Sequence, residues 1–236
     1  MQMFLHYGLE ATDKELVFDP EESKHMVKVL RHKAGDQITM TNTRGLEAWG
    51  TITHANPKAC LVRIDGNRQH PEPKTQIHIA IAPTKQMERL EWFVEKATEL
   101  GVTRITPVIC QRSERKELRL DRLEKRRDAA LKQSLSFYGV NIDPVCAMDD
   151  FLNHNFNNTD CFIAHCIEEI QDHLINIPQK QQKALVLIGP EGDFSQQEVT
   201  KALQKGFKPV SLGAQRLRTE TAGIAAVQLL GIKAIL

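Results

Sequence analysis

Hydrophobic positions along this chain follow two rhythms, and the change between them comes near residue 70. Up to about residue 68 the apolar residues sit in short alternating runs, over residues 3–6, 15–18, 37–41, 46–54 and 59–64. Ala34-Gly35-Asp36, Arg44-Gly45 and Asn56-Pro57 punctuate them. Alternation with a period of two, bounded by turn residues, predicts strands that bury one face. One helical stretch, residues 21–30, interrupts them, and together these pieces predict a small β-barrel. Residues 66–73, polar and carrying Pro71 and Pro73, read as an extended linker.

Beyond residue 74 strands alternate with helices. Strands are predicted over 77–82, 105–110, 143–147, 161–166, 184–188 and 209–212. Helices are predicted over 85–100 and 120–137, from Ser195 onward, and from Thr219 towards Leu236. This alternation predicts an α/β domain with a mostly parallel sheet. Gly101 ends the first of these helices, and Ser195 with Glu198 is a capping-box signature. The last helix is apolar on almost every face, through Ala222, Ile224, Ala226, Val227, Leu229 and Leu230. Such a helix is either deeply buried or spans a membrane. Spanning needs roughly 20 unbroken apolar residues, and Gln228 and Lys233 interrupt this one. Burial is expected, part of it against a second subunit. The domain division expected is 1–70 and 74–236.

Composition adds limits. Of 236 residues, 41% are hydrophobic and 26% charged, as in an ordinary soluble globular protein. The formal net charge of +1 provides no global basic field, so a nucleic-acid surface has to come from local segregation of charge. Cys60, Cys110, Cys146, Cys161 and Cys166 are odd in number and show no C-x-x-C spacing. Reduced thiols in a cytoplasmic protein are expected, without a disulfide framework or a metal site. The opening MQMFLHYGLEATDKE shows no basic stretch followed by a long apolar run, so no secretory signal is expected.

Two glycine-bearing strand exits carry most of the chemistry. In LVLIGPEGDFSQQEV the apolar run breaks at Gly189-Pro190-Glu191-Gly192; in PVSLGAQRLRTETAG it breaks at Gly213, and a helix opens near Thr219. Glycine lets backbone amides approach a ligand closely, and a helix start offers unpaired N–H groups. Neither loop is a Walker loop or a G-x-G-x-x-G fingerprint. Their closeness in sequence predicts one ligand gripped by both, with plain turn glycine as the alternative reading of each. Arg218, with Arg216 before it, sits where a guanidinium and a helix end together favour an anion. The alternative is that Arg218 pairs with Glu191 or Glu220. Glu191 and Glu220 are candidate proton acceptors or partners for a ligand amine, although a carboxylate in a helix first turn, as at Glu220, is also stabilising in itself. No general base is identified. Residues 112–127 hold eight basic and four acidic residues at helical-neighbour spacing, a pattern that usually pairs with itself in solvent. His78 and His165, each within an apolar strand, read as satisfied core residues.

The wording of the two loops, IGPEGDFS…E and LG…RLRTETA, closely resembles the RsmE family, SPOUT-superfamily methyltransferases that modify N3 of a uridine in 16S ribosomal RNA. The resemblance extends over nearly the whole chain through H…VLR…GD (His25 to Asp36), EKATELGV (Glu95 to Val102), Pro107…Arg112-Ser113 and Gln133-Ser134. It implies a C-terminal SPOUT-type α/β domain with a trefoil knot, a feature nearly absent from proteins at large, and an N-terminal PUA-like β-barrel. It implies S-adenosylmethionine (S-adenosyl-L-methionine) held by Leu187, Ile188, Gly189, Glu191, Gly192, Leu212, Gly213, Leu217, Arg218 and Thr219. Leu187, Ile188, Leu212 and Leu217 would pack around the adenine. Arg218 is the catalytic candidate, favouring a uracil that has lost its N3 proton, with Glu191 second. His25, Lys28, Arg31, Arg112 and Ser113 would contact RNA. The implied partners are 16S rRNA in an assembled small ribosomal subunit and a second copy of the chain, with no membrane. Two departures stand out: Leu135-Ser136-Phe137 follows Gln133-Ser134 where many relatives carry an arginine, and Gln215 stands where relatives often have one. The competing readings are ribose 2′-O methylation of another RNA, and a non-catalytic ribosome-assembly factor.

Overall fold

The computed structural model describes residues 2–166 and 172–234. The chain divides into two compact units, Met1–Glu72 with Leu131–Gly139, and Pro73–Ala130 with Val140–Leu236. Residues 131–139, which the sequence places within the second domain, thus belong with the first unit.

The first unit is built on five strands: β1 (Met3–Leu5), β2 (Glu15–Val17), β3 (Gln37–Thr41), β4 (Leu46–His54) and β5 (Leu61–Gln69). They lie in the order β1-β3-β4-β5-β2, with only the β1–β3 pair parallel. Their inward positions form one core around Phe4, Phe18, Met26, Met40, Ile52 and Val62. The linker expected from residue 66 begins later, because β5 runs on to Gln69. Arg68 and Gln69 look like loop residues in the sequence, yet they pair with Glu47 and Leu46 of β4. Gly66 lies opposite Trp49, and a Cβ there would come within 2.4 Å of the indole. The helix expected over 21–30 is two pieces. Asp19 caps α1 (Pro20–Lys24), which starts on a proline, and one π-helical turn, His25–Val29, follows.

The second unit contains β6 (Gln76–Ile81), α2 (Met87–Glu99), β7 (Arg104–Ile109), α3 (Leu120–Ser134) as far as Ala130, β8 (Asn141–Ile142), β9 (Cys146–Ala147), α4 (Met148–Leu152), β10 (Thr159–Ala164), β11 (Lys183–Ile188), α5 (Gln196–Gln204), β12 (Lys208–Val210) and α6 (Thr219–Lys233). The sheet order is β12-β10-β11-β6-β7-β8, with β9 also on β7, and every pair is parallel. The single strand expected over 143–147 is split, since Pro144 lacks the N–H a ladder needs. The helix expected to reach residue 137 stops at Ser134, where Leu135 takes φ 52°. Phe137 beyond it stacks on His70 at 4.1 Å, and the Tyr138 hydroxyl donates to the His70 carbonyl at 2.8 Å. The short α4 has no signature in the sequence pattern.

Helices cover both faces of the sheet, which is why its strands are continuously apolar. On one face Ala80, Leu185 and Leu187 pack with Phe151, Phe194 and Val199. On the other, α6 packs on α2, β6 and β11. The helices approach closely at Gly223, where a Cβ would lie 2.5 Å from the Phe93 ring. The all-apolar α6 buries Ala226, Val227 and Leu230 and leaves Ile232 38% exposed. No described helix is long and apolar enough to cross a membrane.

Candidate cofactor cleft

The chain runs from β6 outward to β7 and β8, then returns to build β11, β10 and β12 on the other side of β6. Parallel sheets bind ligands beyond the carboxyl ends of their strands at such a reversal. The loops leaving β6, β7, β11 and β12 all emerge at that edge, and hydrogen bonds tie them together. The Thr219 hydroxyl, buried in the first turn of α6, donates to the Gly189 carbonyl at 3.0 Å and joins the two glycine-bearing exits. Glu191 accepts from the Lys85 backbone N–H at 2.9 Å. Arg115 donates to the Lys85 carbonyl at 2.8 Å, and Arg112 to the Gly192 carbonyl at 2.9 Å. The Ser195–Glu198 capping box is present, and Glu198 also accepts from the Gln111 N–H at 2.7 Å.

Between the two exits is a cleft of about 300 Å³ bordered by Ile188, Gly189, Glu191, Leu217, Arg218 and Thr219. A smaller hollow of about 100 Å³, bordered by Leu212 and Gly213, adjoins it and shares Ala164, Cys166, Leu217 and Ala222. Leu187 stands apart from the other expected residues. Its side chain is in the core on the opposite face of the sheet, because strand alternation turns it away from Ile188. Gly192 also lies off the cleft. The glycines have their own reasons. A Cβ on Gly189 would meet the Phe194 ring at 3.0 Å, and one on Gly192 would meet Arg112 at 3.3 Å. Gly213 has open space around it but φ 146°, which only glycine adopts comfortably.

Arg218 is exposed, in extended conformation at the N-cap of α6, with no side-chain hydrogen bond or ion pair among the described residues. Neither pairing considered for it forms: Glu191 is held by Lys85, and Glu220 lies 3.8 Å from Arg89. Glu220 is buried, and its Oε2 has no hydrogen-bond partner. It borders a groove of about 540 Å³ with Arg89, Trp92 and Arg218.

The sequence reading named Arg216 only as the neighbour of Arg218, and missed Cys166, Asp193 and Ala222 at the cleft. Asp193 had a signal in GPEGDFS. It takes φ 63° and accepts from the Cys166 N–H at 2.8 Å, fastening the β10 exit to the β11 loop. Burial pushes the Cys166 thiol up, Asp193 adds to that, and Arg216 opposes it.

Of the residues expected to meet RNA, His25 and Lys28 are exposed on the π turn, and Arg31 beyond it is exposed at φ 62°. π turns and left-handed non-glycine residues concentrate at functional sites. Arg112 is exposed while bracing the Gly192 loop. Ser113 is buried, with its hydroxyl accepting from the Cys110 N–H at 3.0 Å, so it shapes the loop rather than the surface. In the charged stretch, Arg122 and Arg126 both pair with the buried Glu91 of α2 rather than with neighbours on α3.

A family model described as an RNA methyltransferase domain matches residues 70–231, and one described as an RNA methyltransferase PUA domain matches residues 18–65. A Rickettsia conorii protein named ribosomal RNA small subunit methyltransferase E is 30% identical, over 94% of this chain and 92% of that protein. The chain belongs to this methyltransferase family. Two solved structures support the membership. A probable rRNA-methyltransferase from Porphyromonas gingivalis superposes with a TM-score of 0.90 at 36% identity, covering 100% of this chain and 99% of that one. A putative methyltransferase from Legionella pneumophila, solved with bound S-adenosylmethionine, superposes at 0.87 with 28% identity, covering 97% and 96%. Within the family, the five-stranded unit is the PUA-like part, and the parallel sheet carries the RNA methyltransferase domain.

Proposed function

We propose that this protein methylates N3 of a uridine in 16S ribosomal RNA, using S-adenosylmethionine held between the two glycine-bearing loops. When bound, that cofactor supplies an electrophilic methyl group on a sulfonium. The cleft has the mixed character such a ligand requires. Ile188, Leu217 and Ala222 offer an apolar wall to a flat base, and Glu191, Asp193, Arg216 and Arg218 set charges of both signs around it. Leu212 and Gly213 border the adjoining hollow.

Neutral uracil is a poor nucleophile at N3 until its proton leaves. The observation that carries the reading is the unpaired guanidinium of Arg218 at the mouth of the cleft, beside the positive end of α6. A cation and a helix end there stabilise the pyrimidine anion as it forms. Glu191, tied to Lys85, positions the loop. His25, Lys28, Arg31 and Arg112 supply phosphate contacts that orient RNA without specifying its sequence. The reading includes the trefoil knot, a cytoplasmic location, the assembled small subunit as substrate, and a homodimer. For the dimer, the apolar surface left on α2 and α6 by Trp92 (44% exposed) and Ile232 gives support.

The test is methylation of purified small subunits and of bare 16S RNA, followed by nucleoside analysis. N3-methyluridine is the expected product. A 2′-O-methylated nucleoside, or RNA binding without transfer, would overturn the proposal. Arg218→Ala should lower the transfer rate by about 10²- to 10³-fold, far more than it lowers cofactor affinity; equal loss of both, or no loss, would remove Arg218 from its role.

A further inference from the structure

A second cavity, of about 470 Å³, opens at the other end of the parallel sheet. It is bordered by Gln76, Arg104, Thr159 and Lys183, the first residues of β6, β7, β10 and β11, whereas the cofactor cleft lies beyond the strands' last residues. Its volume falls within the range of small-ligand sites, and a few convergent polar groups in a largely apolar wall are the usual mark of one.

Among the polar groups that border it, beside Arg104, Thr106, Asp143 and two asparagines, are two imidazoles whose proton positions follow from their partners. His78 Nε2 lies 2.7 Å from the Thr106 hydroxyl. That hydroxyl has one proton and gives it to the Asp143 carboxylate, which Arg104 also holds at 2.7 Å. Thr106 must therefore accept from His78 Nε2–H, and the lone pair is left on Nδ1. His78 Nδ1 has no hydrogen-bond partner among the described residues, and His78 borders the cavity. His154 contacts the carbonyls of Asp150 and Phe151 through Nδ1, at 3.0 and 3.1 Å. Carbonyls only accept, so Nδ1 carries a proton, and in the neutral ring the lone pair is on Nε2. The same cavity is thus lined by two histidines that each present an acceptor nitrogen.

The apolar part is aromatic. Phe151 has His78 edge-on at 6.0 Å, and its ring is tilted against Phe156 at 5.2 Å and His154 at 6.1 Å. Phe156 is half-buried at the cavity wall, so part of its ring remains available for stacking. Lys183 stands exposed at the rim with no ion pair among the described residues. Two acceptors disfavour an anionic group deep in the cavity, the Asp143 carboxylate there is already paired with Arg104, and the basic rim disfavours a cation. No group of three metal-ligating side chains occurs among the described residues.

We propose that this cavity is a second ligand site that takes an amino-bearing nucleobase, whose N–H groups meet His78 and His154, whose ring stacks on Phe156, and whose phosphate meets Lys183. Such a base can come from a free nucleotide or from an unpaired position in RNA. An exocyclic amine supplies two N–H donors, so adenine, cytosine and guanine suit the site better than uracil.

Calorimetry on the full chain, with AMP, CMP, GMP, UMP and a single-stranded RNA hexamer as probes, tests this. At least one amino-bearing nucleotide or the hexamer should bind, with UMP weakest of the mononucleotides. Mononucleotide binding that His78→Phe weakens identifies the free source, and hexamer binding alone, weakened by the same variant, identifies RNA. His78→Phe keeps the bulk of the ring and removes the acceptor, so the ligand should bind about tenfold more weakly, while S-adenosylmethionine binding is unchanged. Should that variant fail to fold, Phe156→Ala and the ¹⁵N resonance of His78 Nδ1 in the wild-type protein decide, since the resonance moves only if a donor reaches it. No binding by any probe, UMP binding best, or affinity and resonance indifferent to these changes would each overturn the proposal.

Discussion

Replacing Thr219 with valine tests whether the two glycine-bearing loops act as one site. The two side chains have nearly the same shape, so the change removes one hydroxyl and little else. That hydroxyl is buried, with the residue 4% exposed, and it donates to the Gly189 carbonyl at 3.0 Å. Without it the carbonyl is left in a poorly hydrated position, which costs about 1–3 kcal/mol. Where the loops have to be brought back together by the ligand, that cost appears in affinity. A loss near 1.4 kcal/mol, in the lower part of that range, weakens S-adenosylmethionine about tenfold. Calorimetric titration gives the dissociation constant, and a thermal melt gives the part that falls on the fold. Thr219→Ser keeps the donor and should restore most of the affinity. The reasoning is refuted if Thr219→Val binds the cofactor as the wild type does, even if its melting point drops. In that case the bond serves the fold alone.

Three further outcomes follow from the same geometry. Gly223→Ala places a Cβ 2.5 Å from the Phe93 ring in the tight α2–α6 contact, so overpacking should destabilise the protein by about 1–3 kcal/mol, read from urea midpoints. Ser195→Ala removes the hydroxyl that caps α5 and should cost about 1 kcal/mol in the same assay. His78 gives a pH signature. Burial, reinforced by the charge of Arg104 and opposed by Asp143, pushes it down to about 4 from 6.5. Between those values the unfolded chain holds a proton on this ring that the folded chain does not. Stability is therefore fully present above pH 6.5 and declines as the pH falls to 4, by about 3 kcal/mol in all. Urea midpoints across that window should show the slope in the wild type and lose it in His78→Gln; parallel slopes would contradict the assignment.

The parallel sheet was legible because its strands are apolar runs of the right length with helices between them, and Gly101, at φ 86°, marks the end of α2 as glycine often does. What escaped did so for physical reasons. A strand buried on both faces has no polar–apolar period, so nothing in LVLI tells which of Leu187 and Ile188 meets the cleft. The end of β5 is polar because Arg68 reaches across to Glu47 at 2.6 Å, and from the sequence that looks like a linker. Gly189 and Gly192 stand out in the sequence as ligand-loop glycines, yet Phe194 and Arg112 already account for the missing side chains, and only Gly189 borders the cleft. The π turn at His25–Val29 and the packing of residues 131–139 with the first unit depend on contacts distant in sequence, which a local pattern does not encode. The Thr219–Gly189 bond joins residues thirty apart and could be read only from the fold.

The most direct test of the account is a crystal structure of the protein with S-adenosylmethionine. The account predicts the adenine against Ile188 and Leu217, backbone of both glycine-bearing loops around the ligand, and the sulfonium methyl turned toward open space beside Arg218. Cofactor lodged at the His78 cavity, or held by one loop with the other turned away, would contradict it.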